Sequence, residues 1–424
     1  MDKTSIEEKQ SYRGFLIHGI FLALTVTFTE VNSVLPALIL QVGGSEIHIG
    51  VITAIMIGLP LVSQLLFAPF VQSRPRKKKY LIGGLYTRMI ALFGIGMLLI
   101  SSENIAPGLV LILIYAGLII FSLSGAFAGI SYVSLIGSTI PGELRHQFFL
   151  RKQAFWSVGV LLSGILTRYI ITGFSGSMRY AFLFSLAALM LALGSIGFWM
   201  IREKTDSAVI NRPGLKEIFI SMKDILKEDT TFRYYCFTAN ILSMGIVLIP
   251  FYLPTLVRKF DIPSNFIGTI VLLQMSGMLL SNLIWPRIVK PLGFKGLLKI
   301  QSVAGFIIPL TMVLSLNLGA GMWLVYIIFP LLGSLASAHK MSGEAVLVQI
   351  SDDNKRALYS GIYGAINLTS AIAPLLIGLL LNYLSYQWIF IFFGIICLAA
   401  IPNINRMVCP VDIQKAREDM ISGN

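Results

Sequence analysis

The stretch that decides the fold is Leu35-Pro36-Ala37-Leu38-Ile39, because the chain repeats it as Leu253-Pro254-Thr255-Leu256-Val257. The two copies lie 218 residues apart. At the same offset, Ile49-Gly50 is matched by Ile267-Gly268. One such match would mean little, but ordered matches at one offset indicate that the chain contains two related halves.

Two further pairs of segments extend the repeat. Ser63-Gln64-Leu65 matches Ser281-Asn282-Leu283 at the offset of 218. Later in each half, Ile140-Pro141-Gly142-Glu143-Leu144-Arg145 parallels Ile350-Ser351-Asp352-Asp353-Asn354-Lys355 at an offset of 210. Each match lies at a corresponding helix end, so the sequence predicts two homologous halves of six helices.

The composition identifies these helices as membrane spans. Of the 424 residues, 56% are hydrophobic and only 12% are charged, against roughly 25% charged in soluble domains. A transmembrane helix needs about 20 mainly apolar residues. We therefore predict an all-α integral membrane protein of twelve transmembrane helices in two pseudo-symmetric bundles. The predicted spans are roughly 14–40, 46–72, 80–100, 107–138, 153–173, 179–201, 233–257, 265–290, 295–316, 321–349, 357–382 and 387–408.

The predicted domains follow from the repeat. Residues 1–201 form the N-terminal six-helix half, 202–232 a linker, and 233–424 the C-terminal half. Apolar residues recur at helical spacing between Leu215 and Leu226, with lysines among them. This pattern predicts an amphipathic helix on the inner membrane surface, and a simple tether between the halves is a compatible reading.

The net charge of +13 indicates orientation, and we expect no nucleic-acid partner. Basic residues lie in short segments between apolar runs, such as Arg74-Pro75-Arg76-Lys77-Lys78-Lys79, whereas the loops 101–106, 316–320 and 383–386 contain no Lys or Arg. Since Lys and Arg accumulate in cytoplasmic loops, both termini should be cytoplasmic. The short outer loops fit a bacterial inner membrane.

The sequence gives no sign of a cofactor, a metal site or an enzyme. Cys236, Cys397 and Cys409 fall in or beside apolar runs without disulfide or zinc spacing. We find no phosphate-binding glycine loop and no nucleophile–base constellation among the polar residues of the spans. We therefore expect no activity that uses ATP.

The segment from Ala68 to Lys77, before the third helix, resembles the hallmark of the major facilitator superfamily. That hallmark reads glycine, three residues, aspartate, a basic residue, one residue, glycine and two basic residues. Arg76 and Lys77 match the final pair, whereas alanine, glutamine, serine and proline replace the other four positions. The resemblance covers nearly the whole chain, since twelve helices, two halves and a central linker all agree.

The resemblance implies a secondary transporter that works by alternating access, commonly as a monomer. In the family, the hallmark latches one state through charge contacts between helix ends. Its candidate gating residues here are Arg76, Lys77, Arg145 and the repeat equivalent Lys295. Proton-linked drug exporters of the family carry an arginine four residues before a glycine of the fourth helix. If Gly125 is that glycine, the position is Phe121, so the motifs do not support drug–proton antiport.

Ionisable residues within membrane spans mark functional sites, and the resemblance implies that the first, fourth, seventh and tenth helices line the cavity. The candidate substrate- or ion-binding residues on these helices are Glu30, Tyr132, Asn240, His339, Lys340 and Glu344. Arg88 lies on the third helix, which the resemblance assigns to the periphery. We therefore expect Arg88 to snorkel inward or to contact a helix end.

Our hypothesis is that Lys340 supplies a positive charge for a small anionic or zwitterionic solute. Glu30 then binds a coupling proton, because a buried carboxylate takes up protons more readily, or it pairs with a cationic group of the solute. A structural pair, Glu30–Lys340 or Lys340–Glu344, is the alternative. At the level of function, the alternatives are a lipid or lipophilic-compound exporter or flippase and a non-transporting membrane sensor or scaffold.

Overall fold

The computed structural model describes residues 3–72, 74–140, 142–203, 215–319, 322–350, 356–367 and 369–407. Within these ranges the chain is helical apart from short connections. Ser73, Cys409 and the repeat segment 351–355 lie outside the described residues. The helices are α1 Lys3–Phe28, α2 Val34–Gln41, α3 Glu46–Thr53, α4 Leu59–Gln72, α5 Lys78–Ile100, α6 Pro107–Thr139, α7 Gly142–Gly173, α8 Met178–Trp199, α9 Leu215–Glu228, α10 Thr230–Val247, α11 Ile249–Phe260, α12 Ile267–Asn317, α13 Leu324–Ile350, α14 Arg356–Ile366, α15 Thr369–Leu380, α16 Tyr386–Leu398 and α17 Ala400–Arg406.

Eleven stretches of the described chain are long and apolar enough to cross a membrane. One of them, Ser264–Asn317, has 54 residues, which is far more than one crossing needs. Its helix α12 is interrupted at Gly293, where φ is 64°, so this stretch covers both the eighth and the ninth predicted span. The all-helical fold of twelve spans in two pseudo-symmetric bundles is confirmed.

Two spans depart from regular helix at positions related by the repeat. The first span is interrupted between Phe28 and Val34. The seventh has a single turn residue, Leu248, between α10 and α11, and this residue keeps helical dihedral angles of φ −74° and ψ −27°. Leu248 lies 218 residues after Glu30. In both cases the helix that follows has a proline in its first turn, Pro36 or Pro250, where the missing N–H is tolerated. The sequence predicts each span as one continuous helix, which is wrong for the first span.

The described chain packs as two compact units. Unit 1 comprises Met1–Arg212 with Pro250–Met275, and unit 2 comprises Pro213–Ile249 with Ser276–Asn424. The boundaries 1–201, 202–232 and 233–424 concern the sequence repeat and stay predictions. We call the end of unit 1 at which α1 begins its proximal face and the opposite end its distal face.

In unit 1, α5 packs against α6 and α8, and α1 packs against α7 and α8. The crossing of α1 and α8 is close at Gly14 and Gly197, because a Cβ on either residue would overlap the carbonyl oxygen of the other. In membranes, small residues permit such approaches without a hydrophobic driving force. In unit 2, α10 packs against α13, α15, α16 and α17.

The crossing of α1 and α8 yields a stability prediction. Gly14→Ala should lower the melting temperature of the purified protein in detergent, because overpacking costs about 1–3 kcal/mol. The control is Gly94→Ala on α5, where a Cβ meets nothing within 4 Å, so its higher helix propensity should leave stability unchanged or slightly raised. Equal melting temperatures for the two variants would contradict the close crossing.

Candidate functional site

Unit 1 contains a cavity of about 280 Å³ whose wall comes from the first four predicted spans. This volume is near the lower limit of ligand pockets, roughly 300–1,000 Å³, and the wall is mainly apolar with four polar side chains. The lining residues are Val26, Thr29, Glu30, Val31, Met56, Pro60, Arg88, Phe121, Ser122, Gly125 and Ala126.

Two segments of irregular backbone line this cavity. Thr29, Glu30 and Val31 belong to the break between α1 and α2, and Met56 belongs to a π-helical turn at Ala54–Gly58. Inside a bilayer, non-helical backbone is tolerated only where it is buried in protein or lines a cavity, and π-helical turns are frequent at functional sites. The departures from regular helix therefore point to the same location.

The Glu30 carboxylate is held by neutral hydrogen-bond donors. Its Oε1 accepts from the backbone N–H of Asn32 at 3.1 Å, from Asn32 Nδ2 at 2.6 Å and from Gln274 Nε2 at 3.4 Å. Gln274 lies on α12, within the part of that helix that belongs to unit 1. Among the described residues, Glu30 forms no ion pair, so a proton or a solute cation could still neutralise its charge.

The two amides beside Glu30 leave acceptors unsatisfied. Among the described residues, Asn32 Oδ1 and Gln274 Oε1 are buried without a hydrogen-bond partner, and the whole Gln274 residue is 2% exposed. A buried acceptor without a donor costs about 1–3 kcal/mol. This corner of unit 1 is therefore rich in acceptors, and a protonated carboxyl or an ammonium group would supply the missing donors.

Arg88 lines the same cavity. Its guanidinium carbon lies 4.3 Å from the centre of the Phe121 ring. A Cβ at Gly125 would come within 3.1 Å of Arg88 Nε, so the absence of a side chain there makes room for the guanidinium. Within the described part of the chain, Arg88 Nε is buried without a hydrogen-bond partner. The expectation of a peripheral, snorkelling Arg88 is wrong for this structure, since its guanidinium lies in the cavity wall.

The predicted residue Tyr132 lies in an aromatic cluster instead of the cavity wall. Its ring centre is 5.5 Å from that of Phe15 and 6.0 Å from that of Phe198. Lys152 Nζ lies 5.0 Å from the centre of the Tyr132 ring, and no residue that the structure describes forms a hydrogen bond with the buried Tyr132 hydroxyl. A role for Tyr132 in binding stays a prediction.

The other predicted binding residues belong to unit 2. Asn240 donates to the carbonyl of Ile366 at 2.8 Å and to Thr369 Oγ1 at 2.5 Å, so it bridges the break between α14 and α15. On α13, His339 is part-buried and Lys340 is exposed. The side chain of Glu344 lies outside the described residues. The binding roles of these four residues stay predictions.

The candidate gating residue Lys77 lies where the start of α5 and the end of α8 cap each other. At the proximal face, the backbone N–H groups of Lys77 and Lys78 donate to Glu203 Oε1 at the start of α5. Lys78 Nζ donates to the carbonyl of Ile201, just beyond α8, at 2.6 Å. An anion at a helix N-terminus and a cation at a C-terminus are both stabilising, so α5 and α8 cap each other.

The second half carries the matching contact. Lys295 Nζ donates to the carbonyl of Met407, directly after α17, at 2.9 Å. Lys295 lies 218 residues after Lys77, the neighbour of Lys78. In each half a lysine near the start of the third span binds the end of the sixth, Lys78 in the first half and Lys295 in the second. Arg76 is exposed, and the side chain of Arg145 lies outside the described residues. Their role in gating stays a prediction.

At the distal face, an ion pair joins Glu46, the first residue of α3, to Arg258 near the end of α11. The contacts are Nη1–Oε1 at 2.6 Å and Nη2–Oε2 at 3.0 Å. On the same side of unit 1, a Cβ at Gly164 would lie 3.2 Å from Leu272. The distal ends of the seventh and eighth spans therefore pack against the second and fifth. Sequence reasoning did not find this pair, because nothing in the pattern links residues 212 positions apart.

The twelve spans, the repeat and the cavity at a broken helix define the class of secondary membrane transporters. The sequence profile of the Major Facilitator Superfamily matches residues 16–338 and 236–412, and the chain belongs to this family. A comparison with curated proteins gives no match.

Solved transporters share the fold. The nucleoside transporter NupG matches with a TM-score of 0.67 and 13% identity, over 94% of this chain and 98% of that chain. A POT family transporter in complex with a thioalcohol-conjugated peptide matches with a TM-score of 0.70 and 11% identity, over 93% of this chain and 95% of that chain. At these identities, the likeness concerns the fold alone.

The reciprocal caps yield a second stability prediction. Glu203→Gln should lower the melting temperature by the equivalent of about 0.5–1 kcal/mol, because the start of α5 loses its anionic partner. Glu228→Gln, at the exposed end of α9, removes the same charge without such a contact and should leave the melting temperature unchanged. A Glu203→Gln protein as stable as the wild type would show that the cap contributes nothing.

Proposed function

We propose that this protein moves a small polar solute across a bacterial inner membrane by alternating access, with Glu30 as the coupling group. The observation that carries the proposal is the Glu30 carboxylate in a small cavity at a broken span, held by neutral donors alone. Such intramembrane carboxylates, kept without a fixed counter-ion, suit reversible binding of a proton or a cationic group.

The cavity supports a small solute with few polar groups. Its volume of about 280 Å³ suits a molecule of metabolite size better than an oligosaccharide or a lipid with its acyl chains. The mainly apolar wall lowers the local dielectric around the few polar groups, which strengthens their interactions with a ligand. We therefore favour a small polar solute over the lipid substrate that remains the alternative.

The distribution of basic residues supports an assignment of the cytoplasmic and outer faces of unit 1. Since the basic loops adjoin the start of α1, the proximal face of unit 1 should be cytoplasmic. The Glu46–Arg258 pair then lies at the outer side and keeps the Glu30 cavity closed from that side. Opening outward requires this ion pair and the Gln274–Glu30 hydrogen bond to separate.

Binding of a proton or a cation to Glu30 would favour opening of the distal face. A carboxylate that binds a proton or a cation attracts the Gln274 amide N–H less strongly, so occupancy of Glu30 favours the state in which Gln274 has moved away. A ligand shifts a conformational equilibrium only by its difference in affinity for the two states. The Gln274 contact supplies such a difference.

The proposal is tested by a ligand screen followed by transport. Purified protein in detergent is melted with sugars, amino acids, organic anions, nucleosides and lipophilic drugs at two pH values. A compound that binds only folded protein raises the melting temperature by mass action. Each stabilising compound is then tested for uptake into proteoliposomes with and without a pH gradient. Stabilisation by lipid alone, with no solute taken up, would overturn the proposal.

Glu30→Gln should abolish accumulation of the solute against its gradient, because the amide keeps the shape of the side chain but cannot bind a proton or balance a cation. The measurement is uptake into proteoliposomes that carry an imposed pH gradient. Glu103→Gln changes an exposed carboxylate of the distal loop and should accumulate solute like the wild type. Undiminished accumulation by Glu30→Gln would remove Glu30 from the coupling mechanism.

Arg258→Gln should favour the outward-open state. Labelling of a Val31→Cys reporter by an impermeant maleimide, in a background where the native cysteines are serine, should rise about 1.5- to 5-fold, since a partly exposed ion pair contributes only ~0.2–1 kcal/mol. The charge swap Glu46→Arg with Arg258→Glu should restore slow labelling. Lys259→Gln serves as the control for charge. Fast labelling in the swapped protein would refute a gate role for the pair.

A further inference from the structure

The Arg88 side chain packs against the surface of α6. The Phe121 ring covers the guanidinium at 4.3 Å, and Gly125, one turn further along α6, leaves the space in which Arg88 Nε and Cζ lie. An arginine that only stacks on an aromatic ring still has five N–H donors in a fixed plane. In the described part of the chain no acceptor group takes a hydrogen bond from these donors, so Arg88 retains donors for a ligand.

The cavity therefore carries one charge of each sign. Arg88 and Glu30 both line it, yet neither forms an ion pair within 4.0 Å among the described residues. A buried cation in a membrane protein is costly unless it has a counter-charge. A simple anion in the cavity would neutralise Arg88 but not Glu30, and a simple cation would do the reverse.

We propose that the cavity selects a small zwitterion, with Arg88 binding its carboxylate and Glu30 binding its ammonium group. This inference rests on the proposed transport function and names its substrate class. The planar guanidinium matches a carboxylate through two parallel hydrogen bonds. The orphaned Asn32 Oδ1 and Gln274 Oε1 beside Glu30 are acceptors for the remaining ammonium hydrogens.

Lys340 is the competing cation. It lies on α13 in unit 2, where it is exposed, whereas Arg88 shares one cavity wall with Glu30. The Arg88 guanidinium also lies against the Phe121 ring and beside Gly125 of α6. A charge that is already positioned at the cavity binds a ligand at a low entropic cost, and Arg88 is the cation that lines this cavity.

The probes are ω-amino acids from glycine to 6-aminohexanoate, each matched with the carboxylic acid and the amine of the same chain length. The measurement is the melting temperature of the full-length protein in detergent. We expect at least one amino acid to stabilise the wild type more than its acid and amine added together. If no amino acid does so, the inference is overturned.

The variants test the assignment of each charge. Arg88→Gln should lower the affinity for the stabilising amino acid by about 10- to 100-fold, as expected for loss of a charged hydrogen bond. Arg88→Lys should lower this affinity less. Glu30→Gln should retain binding of the acid but lose the preference for the amino acid. A response that survives Arg88→Gln and disappears in Lys340→Ala would overturn the role of Arg88.

A second pair of variants leaves every charge in place. Gly125→Ala introduces a methyl group 3.1 Å from Arg88 Nε. By displacing the guanidinium, it should lower the affinity for the amino acid severalfold. Gly129→Ala, one turn along α6, places a Cβ that meets none of the described atoms within 4 Å, and this variant should bind the amino acid normally. This pair remains informative if Arg88→Gln fails to fold, and equal affinities for the two would overturn the inference.

Failure of the inference is distinguishable from failure of the proposed function. If a sugar or nucleoside stabilises the protein and is transported while amino acids do neither, transport stands and the zwitterion assignment falls. If the amino acid binds but no solute enters proteoliposomes, the cavity is a zwitterion site in a protein that does not transport, and the proposed function falls alone.

Discussion

A broken helix inside a bilayer has no water to satisfy its backbone, and this constraint shapes the centre of unit 1. Between α1 and α2, the carbonyl of Glu30 accepts from the N–H of Leu35 at 3.0 Å, and the Glu30 carboxylate accepts from the N–H of Asn32 at 3.1 Å. Glu30 thus stabilises the break that exposes it. The residue that carries the cavity's negative charge is also the residue that makes the local backbone possible, so its chemistry and its fold are not separable.

The spans and the repeat could be predicted because apolar length and residue spacing are local properties of the sequence. The break in the first span could not, since 14–40 is mainly apolar apart from His18, Glu30 and a few small polar residues. Arg88 was misjudged for a different reason, because the rotation of a helix is set by its neighbours. Gly84, one turn before Arg88 and on the same face, packs so closely on α6 that a Cβ would lie 2.9 Å from the Ser124 carbonyl oxygen. That contact turns Arg88 toward Phe121.

The repeat preserves the scaffold but not the polar residues of the cavity. The lysine caps recur, with Lys78 and Lys295 each bound to the end of the sixth helix of its half. The break of the first span is matched in the seventh only by a single turn residue, Leu248, with helical dihedral angles. At the offset of 218, however, Glu30 corresponds to Leu248 and Met56 corresponds to Gln274. Backbone capping is needed in both halves, so it is retained in both. A binding site for an asymmetric solute needs unlike groups, and the two halves supply them unequally.

The contacts that close the distal face differ in how they respond to a ligand. The Glu46–Arg258 pair is short, but the Arg258 side chain is 58% exposed, so solvent screening limits it to about 0.2–1 kcal/mol. The Gln274–Glu30 hydrogen bond is long, at 3.4 Å, and therefore weak, but it is buried and depends on the charge of Glu30. These two polar contacts therefore contribute little free energy to the closed state. In the proposed mechanism only the second contact changes when Glu30 is neutralised, so the buried bond, not the stronger-looking surface pair, is the contact through which cavity occupancy sets the state of the distal face.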